Sequence, residues 1–400
     1  MKAKILKTET EYDAALAHVE TLMDATPGSP AEAELELFAM LVEQYEAAHY
    51  PIDLPDPIEA IKFRMEQAGL VRKNLAPYLG SPSKVSEVLN RKRPLSLAMI
   101  RALYRGLGIP AEVLLQDPGR ELEECQYNYK DYPFTEMFKR GYFVAFNGTL
   151  PQAKEQAEEL LIPLFAVFGD TLPQPIYCKN TDRKIDTNAL TAWQARAMGL
   201  ALQEDLPPFS QEILTEGFIR KVMRLSYYSQ GPQMAQEALN KKGVHLIVLP
   251  HLPRTYLDGA CFSSPTGRPI IGVTLRHDRL DNFWFTLAHE LGHCLLHLSQ
   301  DASTAFFDDT EHFASETDDL QETEANHFAR DILIPPEAWE QERTQLLGSS
   351  QGQSIRAFAE RIGVAPAVVA GRVRWETENY TKLTKLVGRR QVRQQFAEYA

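Results

Sequence analysis

Apolar positions recur every three or four residues through most of this chain and cluster as short apolar runs in only one region. Tyr12, Leu16, Val19 and Leu22, then Leu35, Phe38, Leu41 and Tyr45, predict helices over 8–24 and 30–49. Thr26-Pro27-Gly28-Ser29 breaks them into a hairpin. Short helices follow at 57–68, 71–79, 82–90, 95–107 and 110–116, punctuated by Gly69, Gly80, Pro94 and Gly108. Further helical periodicity covers 151–168, 188–203, 210–228 and 232–241. Residues 243–250, 259–263 and 269–274 instead read as strands of a small sheet. The pattern predicts an α+β fold, mostly helical.

Helix, tight glycine turn, helix at 71–90 is the signature of a helix-turn-helix, with Leu75, Ala76, Leu79, Val85, Val88 and Leu89 as its core. Ser81 suits the cap of the second helix and Pro82 its first position. Its polar face offers Ser83, Lys84, Ser86, Glu87 and Asn90, side chains able to read base edges in a major groove. Arg91, Lys92 and Arg93 follow, where phosphate contacts would fix register. The net charge of −12 argues against general nucleic-acid affinity, but its distribution matters more. Residues 62–105 carry ten Lys or Arg against two acidic residues, whereas residues 1–60 carry three Lys against thirteen. Operator DNA is the expected partner, read by a homodimer on two half-sites.

The strongest chemical signal is His289-Glu290-Leu291-Gly292-His293, an H-E-x-x-H inside an apolar, helix-compatible run. Histidines four apart project from one helix face and can share a metal ion, while Glu290 lies where a carboxylate accepts a proton from water. Asp281 and Asn282 are placed to cap this helix, and Phe283, Phe285, Leu287 and Leu291 to bury it. The metzincin pattern would need Gly and His at 296 and 299, where Leu296 and Ser299 stand. The third ligand is therefore sought on the helix read from 322 to 335, whose apolar stripe is Ala325, Phe328, Ala329, Ile332 and Leu333. At 100° per residue Glu322 falls about 50° from the centre of that stripe and Glu324 about 110° away on the other side. Glu322 is thus the inward carboxylate, and Asn326 a candidate to hydrogen-bond a ligand histidine. The set implies Zn²⁺ held by His289, His293 and Glu322, with Glu290 as the catalytic base.

The remaining features shape the setting. Cys125, Cys178, Cys261 and Cys294 have no framework spacing and read as reduced cytoplasmic thiols, Cys294 as a packing residue. There is no apolar run long enough for a membrane span and no signal-peptide pattern at the start. The aromatic-rich stretch 121–150 is read as packing surface. His277 or Tyr256 could stabilise a tetrahedral intermediate, and neither is assigned; His245 and His251 are taken as structural. Residues 301–324 hold nine acidic residues and no Lys or Arg, the composition of a surface loop beside the site. Residues 355–374 repeat the helix-glycine-helix form, but apolar residues fill the second helix, so packing is expected there rather than a second DNA reader.

Residues 1–116 resemble the HigA-type antitoxins, most specifically along Lys84–Arg101. Residues from about 240 to 345 resemble the ImmA/IrrE metallopeptidases through Asp281–His293 and Glu322-Thr-Glu-Ala-Asn-His-Phe-Ala329. The second resemblance implies a zincin-like fold with an H-E-x-x-H helix, and a glutamate ligand three residues before an alanine, which lands on Glu322. The two together imply a helical hairpin (1–50), a helix-turn-helix domain (51–118), a helical connection (119–240), a zinc metallopeptidase domain (241–345) and a C-terminal helical segment (346–400). The expected function is a DNA-binding regulator whose peptidase cleaves a protein, a repressor or an antitoxin, with a toxin as a further partner. The rival is a non-enzymatic antitoxin-repressor whose metal domain senses a ligand or docks a partner.

Overall fold

Thr8 and Ser29 each accept a backbone N–H through the side chain, from Glu11 and Glu32, and so start α1 (Glu9–Leu22) and α2 (Pro30–His49). The computed structural model describes residues 3–50, 54–116, 127–169, 176–177, 185–298, 305–308, 320–349 and 352–396. These fall into two compact units, 1–124 and 125–400. In the first unit α1 and α2 pair through Ala15, Phe38, Val42 and Tyr45, with Tyr12 stacked on Tyr45 at 4.9 Å. Leu16, expected on the seam, is instead exposed, because the pairing is narrow and Ala15 fills its centre.

The helical series of 57–115 then follows as α3 (Pro57–Gln67), a 3₁₀ turn (Arg72–Leu75) running into the short α4 (Ala76–Leu79), α5 (Pro82–Leu89), α6 (Leu97–Leu107) and α7 (Ala111–Leu115). Ser81 caps α5 by accepting from Lys84 N, and Pro82 occupies its first turn. Gly80 makes the turn between α4 and α5 at φ 96°, a conformation that favours glycine. Leu75, Leu79, Val85, Val88, Leu89 and Leu103 form the core of this bundle.

The second unit is built on a five-stranded sheet in the order β1 (Ile176–Tyr177), β5 (Phe306–Asp308), β3 (Gly259–Ser263), β4 (Pro269–Val273), β2 (His245–Val248). β3 runs antiparallel to both neighbours, and the outer pairs are parallel. Its apolar runs alternate between two faces. Leu246, Val248, Cys261, Ile271 and Val273 join one core, while Ile247, Leu249, Ala260, Phe262 and Ile270 join another. Period-two alternation with apolar residues on both sides is what a sheet covered by helices on both faces requires. α11 (Thr187–Ala201) lies against one face, its buried Trp193 Nε1 donating to Leu249 O at 3.1 Å. α14 (Leu280–Leu296) covers the other, packed on α15 (Leu320–Leu333) and on α18 (Pro366–Glu376).

Helices α8 (Phe134–Lys139), α9 (Leu150–Glu155) and α10 (Ala157–Phe165) share the Trp193 core. Helices α12 (Glu216–Arg224), α13 (Gly231–Asn240), α16 (Pro336–Gly348) and α17 (Gly352–Ile362) border the α14 core. Val368, Val369, Ala370 and Val373 of α18 are buried there, so the second helix-glycine-helix of the chain is a packing element. The acidic stretch read as a loop contains β5; residues 309–319 of it lie outside the described residues, as do Cys125 and Cys178. No helix among the described residues is long and apolar enough to cross a membrane.

Candidate metal centre

α14 begins without a side-chain cap. Asp281 and Asn282, expected to cap it, sit within its first turn. The Asp281 carboxylate is held instead by Arg279 Nε at 2.9 Å and Arg374 Nη1 at 3.1 Å. The opening N–H groups are met by the C-terminal segment, with Leu280 N donating to Val387 O at 3.0 Å. That segment is itself fastened by Val392 N and Arg393 N, which donate to Asp278 Oδ1. The helix is therefore anchored by tertiary contacts at its N-terminal end, two turns before the H-E-x-x-H in its C-terminal half.

One turn of α14 separates His289 from His293, and α15 brings Glu322 against both. The Nε2 atoms of the histidines are 3.0 Å apart. Glu322 Oε1 lies 3.1 Å from His293 Nε2, and Oε2 lies 3.4 Å from His289 Nε2. All three residues are buried. Ligands bound to zinc at about 2.0–2.1 Å with tetrahedral angles stand about 3.3 Å from one another, so the three edges of this triangle suit one ion. The hydrogen bonding points the same way: Glu322 Oε1 is buried with no hydrogen-bond partner despite its nearness to His293. Burial pushes the Glu322 carboxyl up, but the close imidazoles of His289 and His293 outweigh it and hold the group below the usual carboxylate range.

The expected hydrogen bond from Asn326 to a ligand histidine is not formed; Asn326 Oδ1 is buried and without a partner. That place belongs to a relay that the sequence reading missed. His293 Nδ1 is 3.0 Å from His297 Nδ1, and His297 Nε2 is 3.0 Å from Glu324 Oε2. With Nε2 of His293 turned to the triangle, its Nδ1–H donates to His297, whose Nε2–H donates to Glu324. Each link fixes the tautomer of the next. Glu324 thus faces solvent, as its helical phase requires, and still serves the site through a long side chain. The available signal was the spacing, since His297 is again four residues on and so on the same face. The ring of Phe306 stacks on His293 at 4.2 Å, another contact hidden in the acidic stretch.

Glu290 is fully buried beside β3. A Cβ on Gly259 would come within 2.1 Å of its Oε1 and 2.6 Å of Thr286 Cγ2, so only glycine leaves room for this carboxylate. Cys294 packs as expected, its Sγ 2.8 Å from that of Cys261 on β3, both reduced and buried. Tyr256, with φ 52°, and His277 are half-buried. His245 Nδ1 lies 2.7 Å from Glu204 Oε2.

In the other unit the expected DNA-reading residues fall on one side of α5 and just beyond it. Ser83, Asn90, Arg91 and Lys92 are exposed, and Lys84, Ser86, Glu87 and Arg93 are half-buried. Several contact one another: Ser83 Oγ donates to Glu87 at 3.2 Å, Asn90 Nδ2 to Ser86 Oγ at 3.3 Å, and Arg93 Nε to Glu87 at 2.6 Å. Arg91 is drawn to α3, where it pairs with Asp56 at 2.6 Å and Glu59 at 3.2 Å. Arg91 and Arg93, expected on phosphates, are thus neutralised by carboxylates.

A buried histidine pair one turn apart, a carboxylate from a second helix and a glutamate beside them make the site of a metallopeptidase-type domain. Residues 239–374, about a third of the chain, match the family model described as Peptidase_M78, the IrrE N-terminal-like domain. The match runs from the end of α13 through most of α18. No curated protein matches the chain.

Proposed function

We propose that this chain is a DNA-binding regulator carrying a zinc-dependent endopeptidase that cleaves another regulatory protein, a repressor or an antitoxin. The observation that carries the peptidase reading is the His289–His293–Glu322 triangle, with edges of 3.0–3.4 Å, beside the buried Glu290. Two nitrogens and one carboxylate are donors that suit zinc. When bound there, the ion would supply Lewis-acid polarisation of the scissile carbonyl and acidify water at the site. Glu290 then accepts the proton of the attacking water and passes it to the leaving nitrogen, so that the C–N bond breaks as the C–O bond forms. The missing side chain at Gly259 leaves the space that this carboxylate occupies. The His297–Glu324 relay keeps His293 in the tautomer that turns Nε2 inward.

The helix-turn-helix form of α4, Gly80 and α5, with its basic surroundings, supports the DNA-binding part of the reading. A homodimer on a palindromic operator follows from that module, and a toxin partner and a cytoplasmic setting from its antitoxin-like sequence. The test of the peptidase is cleavage of proteins encoded beside this chain by wild type and Glu290→Gln. The variant should keep its fold and metal and lose roughly 10²–10⁴-fold in rate. Equal cleavage by the two would refute the role of Glu290; regulation intact in Glu290→Gln but lost in His289→Ala would make the domain a metal-dependent sensor.

A further inference from the structure

At the opposite end of the α14–α15 pair from Glu322 lies a cavity of about 110 Å³ that the peptidase reading does not use. Its charged lining is Arg279, Arg330, Arg372, Arg374 and Asp281; Phe285, Leu333, Val368, Trp375 and Tyr380 form much of the apolar wall. The carboxylates that meet these four guanidiniums are two. Asp281 takes Arg279 and Arg374, and Glu376 takes Arg372 at 2.7 Å together with Arg343. Arg330 has no carboxylate within ion-pair distance among the described residues. Its Nε donates only to Asn326 O of its own helix, and its guanidinium lies over the Trp375 ring at 5.0 Å. Arg374 is 2% exposed, and its Nε is buried with no hydrogen-bond partner.

Among the described residues Arg330 is half-buried without a carboxylate, and Arg374, paired with Asp281, still has a buried Nε without a partner; a fold keeps such unmet donors where a ligand completes them. We propose that this cavity binds the anionic head group of a small molecule, a carboxylate or phosphate on a short apolar stem. Arg330 and Arg374 supply the open donors, and Phe285, Leu333 and Val368 the wall for the stem. Guanidinium forks match the planar spread of carboxylate and phosphate oxygens, and the aromatic rings hold those forks flat. Burial first, and then the nearby Arg372, push the Arg330 guanidinium below its usual range, against the smaller opposing pull of Asp331 and Glu376. A volume of about 110 Å³ takes up a head group and a few carbons.

The test uses the full chain and three probes at constant ionic strength: inorganic phosphate, butyl phosphate and butyrate, with chloride as the screening control. Thermal unfolding and titration calorimetry should show saturable stabilisation by at least one probe beyond chloride. Preference for butyl phosphate or butyrate over inorganic phosphate supports an organic ligand and identifies its head group; preference for inorganic phosphate would overturn the stem. Arg330→Gln should weaken binding by roughly tenfold or more. Among the described residues Arg330 has no ion pair to lose, only its bond to Asn326 O and its contact with Trp375, so the anion response of each variant is read against its own midpoint without anion. Arg330→Lys, which keeps the charge and loses the fork, should fall between them. No response beyond chloride, or an Arg330→Gln that binds as wild type does, would overturn the proposal.

Discussion

At Gly259 a single methyl group decides where the Glu290 carboxylate can lie. Gly259→Ala should displace it, leaving metal binding intact while cleavage falls. Overpacking a buried strand against a buried helix should also cost about 1–3 kcal/mol, measurable by urea denaturation. The next residue-level effect is the relay behind His293. His297→Ala removes the group that fixes its tautomer, so metal affinity should drop about 10–100-fold in chelator competition. Glu324→Gln, which keeps an acceptor oxygen, should lose less. An affinity unchanged in His297→Ala would show that His293 is oriented by packing against Phe306 alone. The helical phase of Glu322 was readable from its own stripe, but Phe306 was not, because no local pattern folds a strand residue back over the preceding helix.

The elements divide by how much of their stability is local. The strands β2, β3 and β4 were legible because both of their faces are apolar, which leaves a continuous run bounded by Gly and Pro. β1 and β5, two and three residues long, were not. Ala305, Phe306 and Phe307 are buried, yet they sit in a stretch so acidic that its composition hides them. The start of α14 was misread for a related reason. Asp281 looks like a cap from sequence, but two arginines, one of them ninety-three residues away, claim its carboxylate. α5 gives an element-level prediction for the proposed operator. Lys92 is exposed and has no ion pair among the described residues, so Lys92→Ala should weaken binding to all sequences and lower the salt slope by about 1. Asn90→Ala should instead weaken discrimination. Anisotropy titrations of operator and scrambled duplexes across salt concentrations separate the two, and a Lys92→Ala slope equal to wild type would remove Lys92 from the interface.

For the whole molecule, acid should act partly through His251. Burial, then the charges of Arg140, Arg276 and Arg393, push its imidazole down to about 4. The unfolded chain, with an ordinary value near 6.5, binds the proton more readily, so this contribution is full above pH 6.5 and is lost as pH falls toward 4. The unfolding midpoint should decline across that window, and His251→Gln should flatten the decline; an unchanged slope would show that other groups set the acid limit. The central claim, that one metal ion sits between α14 and α15 with Glu290 beside it as base and not as ligand, is tested most directly by metal analysis of purified protein. Wild type and Glu290→Gln should each carry about one zinc per chain, and Glu322→Ala should lose most of it. Zinc retained in Glu322→Ala, or lost in Glu290→Gln, would contradict the assignment.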